Sequence, residues 1–399
     1  MDEGTAMTNH TLATMIGSIR IQLKLTDETV VVAHGRKDTR DDYDAMISQQ
    51  LDSPLDYPPL VQGILEDDRV TIAVEDGIPE GEHIVVAVVQ YMVARGIEPS
   101  RLTLVLGTAV DARIQHIRQR LADLSLSEIS LVLHDPKNID SHAYVAASET
   151  ADAIYVQREL IDADVTIPIY CARTVACPLS SDLYGIAPSF MDAASQLRWS
   201  IAWLEDNVTQ LHQHENLSQE AGWLVGIHFA IAVVPSLDGH VAEILAGKPD
   251  KVFRQATELL TSVDPNAFDL VIAMVDGKED QQNWLSIARA ASQAESLCKT
   301  DGRIVVCCDV KKATKGIRDL ASDAPSEEAN RRLLKAHVED AFPAAVLRSI
   351  REQRSLYLFS SMKPNEVESL GFAFIDSVLS LEHLMEQASK ICIVRGSQY

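Results

Sequence analysis

The block from Arg69 to Asp111 constrains this chain most tightly. Val70–Val74 (VTIAV) is a short, β-branched apolar run that stops abruptly at Glu75-Asp76-Gly77. From Glu82 to Gly96, apolar residues recur at helical spacing: Ile84, Val85, Val88, Val89, Met92 and Val93. A second apolar run, Leu102–Leu106 (LTLVL), closes on Gly107-Thr108-Ala109. Two apolar strands joined by one amphipathic helix make a βαβ unit, and such units build parallel sheets buried on both faces. Ligands of these sheets sit at the carboxyl ends of the strands. Here those ends carry Glu75, Asp76, Gly107, Thr108 and Asp111.

The pattern restarts further along the chain, so the expected fold class is α/β: two Rossmann-like domains with largely parallel sheets and a cleft between them. Strand-like runs follow at Ile129–Leu133, Asp164–Ile169, Phe229–Val234 and His240–Leu245, then at Leu270–Val275, Ile304–Cys308, Leu356–Phe359 and Ile391–Val394. Length agrees, since 399 residues exceed one ordinary domain. The expected division is a flexible tail over 1–18, an N-terminal domain over 19–246 and a C-terminal α/β domain over 247–399, with the boundary at Gly247. Ile19–Leu25 and Thr29–Ala33, separated by Thr26-Asp27-Glu28, read as an antiparallel hairpin.

Charge and cysteine usage narrow the partners. A formal net charge of −23 argues against nucleic acid or an anionic membrane as the main partner. No apolar stretch approaches the roughly 20 residues of a membrane span, and the N-terminus lacks a basic, then apolar, leader pattern. None of the six cysteines forms a CxxC pair, which suits reduced thiols and a cytoplasmic protein. The expected partner is a small anionic molecule in the interdomain cleft, with no nucleic acid and no membrane.

Neither GxGxxG nor GxxxxGK[ST] occurs, and HExxH and GxSxG are also missing, which counts against dinucleotide, P-loop, zincin and hydrolase chemistry. The remaining candidates each carry two readings. Asp76 is a carboxylate aimed into the ligand crevice, or part of a solvated turn with Gly77. Gly107-Thr108 is an anion cradle before a helix, or a plain cap. His134-Asp135, at a strand end, is an acid/base pair or an ordinary loop-start hydrogen bond. In the long segment Tyr170–Tyr184, Arg173 can clamp a carboxylate and Ser180 and Ser181 can hold a phosphate; the alternative is a surface loop. His212-x-His214 is a metal pair or two solvated loop histidines.

With these pieces in order, the chain resembles the nickel-pincer lactate racemase family over nearly its whole length. The resemblance rests on the Pro-containing stretch Leu55–Leu65, the strands ending in Asp76 and in Gly107-Thr108, His134-Asp135, Ala163-Asp164-Val165, Ala246-Gly247-Lys248-Pro249 and Asp301-Gly302-Arg303-Ile304. It implies racemisation or epimerisation of a small 2-hydroxy acid and a nickel-pincer nucleotide cofactor. The family's Asp-x-Thr-Arg-Pro is here Asp76-Gly77-Ile78-Pro79, and its Gly-Thr-His-Arg is Gly107-Thr108-Ala109-Val110. The loop whose lysine is joined to the cofactor falls on Ser180-Ser181-Asp182-Leu183-Tyr184, which has no lysine. A nickel-ligating histidine falls near Arg173 and a second metal histidine near His214. The C-terminal substrate-binding set falls near Trp284, Leu285 and Ala288. Two functions stay open: a racemase of another 2-hydroxy acid, with Asp76 and His134 catalytic and Thr108, Arg173 and Trp284 on the substrate, and a noncatalytic ligand-binding or scaffold paralogue.

Overall fold

The computed structural model describes residues 11–33, 40–107, 111–147, 153–174, 177–178, 182–205, 219–236, 239–260, 267–322 and 325–399. In chain order the strands are β1 (Thr11–Ile16), β2 (Ile19–Lys24), β3 (Thr29–Ala33), β4 (Val70–Val74), β5 (Leu102–Leu106), β6 (Ser130–Leu133), β7 (His142–Ala147) and β8 (Ala153–Gln157). Then come β9 (Val165–Cys171), β10 (Ala230–Pro235), β11 (Val241–Gly247), β12 (Phe268–Met274), β13 (Cys298–Cys307), β14 (Ser355–Phe359), β15 (Ala373–Ile375) and β16 (Ile391–Arg395). Two six-stranded sheets result, ordered β11-β10-β9-β4-β5-β6 and β15-β14-β13-β12-β16-β3. All pairings in both are parallel except β10 with β11. The fold is α/β, with two sheets of the expected kind.

All five β4 side chains are buried, as a central parallel strand requires. The helix Gly81–Ala94 that follows buries Ile84, Val85, Val88, Val89 and Met92 in the core of the first sheet. In the second sheet, Trp284–Leu297 does the same work with small residues: Ala288, Ala290, Ala291 and Ala294 are fully buried and let the helix lie close on the strands.

The chain's beginning departs from expectation. Residues 11–16, inside the expected tail, form β1 and pair antiparallel with β2 around Gly17-Ser18. β3 does not pair with β2; it adds in parallel to β16 at the edge of the second sheet. Leu12, Ile16, Ile21 and Leu23 pack against Leu270, Ile272, Ile391 and Ile393. Burying four such side chains is worth on the order of 6–12 kcal/mol, an upper figure, so the alternation IRIQLK marks a strand pressed on the second unit and not a free hairpin. Residues 11–33 therefore sit structurally with the second sheet. Beyond β16 the chain crosses back, and Tyr399 is buried in the core of the first sheet.

Candidate active cleft

In each sheet the descending order of strands breaks, between β9 and β4 in the first and between β12 and β16 in the second, and crevices open at such points at the carboxyl ends. In the first sheet the residues just past β9 and β4 meet: Arg173 Nη1 donates to both oxygens of Glu75 at 2.8 Å, and the Cys171 amide donates to Glu75 Oε2 at 2.9 Å. Arg173 Nη2 also donates to the Asp76 carbonyl at 3.2 Å. Both side chains of the pair are almost fully enclosed, at 1% and 3% exposure. Burial opposes the Arg173 charge, but Glu75 leads the groups that offset it, and the guanidinium sits above its ordinary value. Burial also pushes the Cys171 thiol up to about 12, so it is no thiolate and no ready nucleophile or metal ligand.

Beside this pair lies a cleft of about 380 Å³ between the two sheets' units, within the range typical of small-ligand sites. The first unit supplies Glu75, Asp76, Gly77, Gly107, Arg113, Ser189, Gln196 and Ser200; the second supplies Asp280, Gln281, Asn283, Leu285, Ser286, Arg289, Asp340 and Phe342. Gly77 turns the chain with φ +76°, a conformation a side chain would strain, and it brings the backbone against Arg173 and Arg289. Asn283 caps Trp284–Leu297 by accepting from the Ser286 amide at 2.9 Å. That helix and Ala341–Gln353 both start at the cleft, so two helix N-termini face it and favour negative charge there.

Arg289 is buried in the cleft wall and its Nε donates to the Pro178 carbonyl at 3.1 Å. Burial, then the neighbouring Arg173, lower its pKa, so its surroundings resist the charge it carries. Burial raises the Asp340 carboxyl. On the other edge, Arg113 of the helix Asp111–Asp123 pairs across the cleft with Asp280 and approaches Glu82 at 3.6 Å.

A second polar cluster fastens the same edge. Glu80 accepts from His240 at 2.9 Å, from His83 at 3.1 Å and from Lys278 of the other unit. The His240 bond first, then Lys278, outweigh burial and hold the Glu80 carboxyl down to about 2. The backbones touch here: a Cβ on Gly239 would lie 2.5 Å from the Gly277 Cα.

The structure distributes the sequence-predicted residues unevenly. Asp76 lines the cleft. Arg173 lies beneath it, committed to Glu75, and is not part of the lining. His134 is elsewhere, buried under the β7–β8 hairpin, with Nδ1 2.7 Å from Gln157 Oε1 and its ring against His142 and Phe190. Gln157 donates onward to Glu159 at 2.6 Å, which turns its oxygen to the histidine. Burial lowers the His134 pKa, and this interior histidine is not among the residues that line Asp76's cleft. Trp284 is a core residue at 2% exposure whose Nε1 donates to the Lys312 carbonyl at 2.9 Å; it does not reach the cleft. Thr108, Ser180, Ser181, His212 and His214 lie outside the described residues. Sequence reasoning missed Arg113, Arg289 and Asp340. For Arg289 a signal exists: Asn283, Ser286, Arg289 and Gln293 form a polar stripe at helical spacing on an otherwise apolar helix.

Fold and site together define a two-unit α/β protein with a polar cleft at a switch point. Residues 16–171 match the lactate racemase N-terminal domain family. The structure is similar to the lactate racemase apoprotein from Thermoanaerobacterium thermosaccharolyticum, with a TM-score of 0.74 and 14% identity, covering 97% of this chain and 99% of that one. It is also similar to a Thermotoga maritima structural-genomics protein, with a TM-score of 0.65 and 14% identity over 89% and 97%. No curated protein matches the sequence. The chain is thus lactate-racemase-like: residues 16–171 match that domain family and its whole length has that fold.

The described lining of the cleft does not fit the family's nickel-pincer group. The described cleft lining contains no lysine, histidine or cysteine; it offers carboxylates, amides, hydroxyls and guanidinium groups. Where the resemblance places a nickel-ligating histidine stands Arg173, a cation already spent on Glu75. A nickel ion prefers imidazole or thiolate donors over such a set. Among the described residues, no helix is long and apolar enough to cross a membrane.

Proposed function

We propose that this protein is a binding member of the lactate-racemase-like group, whose cleft holds a small anionic 2-hydroxy acid without racemising it. The observation that carries this reading is Arg289. It is a buried guanidinium at the cleft wall, beside a second guanidinium and near a helix N-terminus. A carboxylate placed there relieves like-charge repulsion and gains charge-assisted hydrogen bonds. Asp76, Ser189 and Gln196 offer partners for the hydroxyl of such a ligand. Turnover lacks support in the same described lining: racemisation at an unactivated α-carbon needs a strong hydride acceptor, and neither carboxylates nor amides supply one, although a carboxylate could move the hydroxyl proton.

Thermal melts with D- and L-lactate and other short 2-hydroxy acids test the reading, alongside an optical-rotation assay on each enantiomer. A rise in melting temperature without racemisation is the expected result. Racemisation by protein co-expressed with the pincer-cofactor biosynthesis system would sink it.

A further inference from the structure

The cleft has two arginine termini, and the second one is tethered. Arg289 Nη1 would lie 3.9 Å from a Cβ on Gly77, and Arg113 Nη1 3.9 Å from one on Gly81, so the guanidinium groups flank a single turn of the first unit. Arg113 Nη2 donates to the Ile78 carbonyl at 3.5 Å, inside that turn. Arg113 is only 15% exposed, whereas its partner Asp280 is 34% exposed and faces both cleft and solvent. Water reaches the Asp280 end of this pair and screens it. Asp280 is thus a carboxylate already resting where a ligand carboxylate would compete, and it loses little by turning to water.

We propose that the cleft is built for a dianionic ligand, a short 2-hydroxy dicarboxylate, with one carboxylate on Arg289 and the other displacing Asp280 from Arg113. This rests on the binding reading given above. A ligand already held at Arg289 presents its second carboxylate to Arg113 intramolecularly, which favours the exchange. Cation and anion change partners here without any covalent step.

Calorimetric titration of the full chain with lactate and with malate, each as separate enantiomers, tests the proposal. Malate is expected to bind at least about tenfold more tightly than lactate. Arg113→Gln should erase that gap. Asp280→Asn, which leaves Arg113 in place with Glu82 as its remaining carboxylate, should tighten malate binding further. Equal affinities for the two acids, or a gap that survives Arg113→Gln in protein with an unchanged melting temperature, would overturn the dianion proposal and leave the binding reading standing. Binding of neither acid would remove the binding reading, and the proposal with it.

Discussion

The two sheets carry the same device at their switch points, but only one crevice is left open. In the first sheet, Glu75 past β4 pairs with Arg173 past β9. In the second, Asp276 past β12 pairs with Arg395 at the end of β16, with Nε donating to Oδ1 at 2.8 Å. Both are buried acid–arginine pairs bridging adjacent parallel strands. The second is sealed by the chain itself. Thr14 donates to Asp276 Oδ1 at 3.0 Å, the Gly396 amide to Oδ2 at 2.7 Å, and Gln398 to the Asp276 carbonyl at 2.6 Å. Close by, Asp309 past β13 accepts from the amide and hydroxyl of Ser18 at 2.8 and 2.6 Å. The β1–β2 hairpin thus fills with protein atoms the space that the first sheet leaves to a ligand. An ion pair alone does not mark a site; what covers it decides.

The largest expected effect treats both pairs alike. Glu75→Gln and Asp276→Asn each strand a buried arginine and should lower stability by about 3–5 kcal/mol in urea titrations. Ligand-induced stabilisation should fall only for Glu75→Gln, since only that pair borders the cleft. Loss of the ligand response in Asp276→Asn as well would break the comparison and show the crevices to be coupled.

Arg289→Gln comes next, with a loss of ligand affinity worth about 1.5–3 kcal/mol, the usual value of a charged hydrogen bond. The apo protein should stay folded, because burial and Arg173 both oppose the charge that the variant removes. An apo protein that unfolds instead would make Arg289 a structural residue like Arg395.

The pH response should divide the molecule by region. Burial holds the His134 pKa below its ordinary 6.5, so the unfolded chain binds the proton more readily and stability declines as pH falls below 6.5. Glu80 is held at about 2 against an ordinary 4.5. Its contribution is complete above 4.5 and disappears as pH falls from there to about 2. Glu80→Gln should flatten that second, more acidic decline in equilibrium unfolding curves; an unaltered decline would mean that the seam between the units does not carry it.

The smallest effect belongs to Trp284→Phe. Losing the bond to the Lys312 carbonyl should cost about 0.5–1.5 kcal/mol, with ligand affinity unchanged. A drop in affinity would return Trp284 to the cleft.

Much of the scaffold was legible because parallel strands buried on both faces leave continuous apolar runs. Val70–Val74, Leu102–Leu106 and Leu270–Val275 announced themselves that way, and a strand that ends in Glu75-Asp76-Gly77 marks where a crevice opens. The hairpin near Pro235–Val241 was equally plain, since its turn residues are local. The helix Ala341–Gln353 was missed, as were β7 and β8, whose alternation is weak.

By itself, then, the sequence determined the fold class, the place of the first crevice and the resemblance of its family, because periodicity and strand ends are properties of neighbouring residues. Only the tertiary structure decided that β3 joins the second sheet, that Arg173 serves Glu75 and not the cleft, that His134 and Trp284 are interior, and that Arg113 and Arg289 share one wall-to-wall space. Each of those outcomes depends on which distant groups compete for the same charge or the same buried volume. Glu75 lies 98 residues from Arg173, and Arg113 lies 167 from Asp280, separations over which no local pattern carries information.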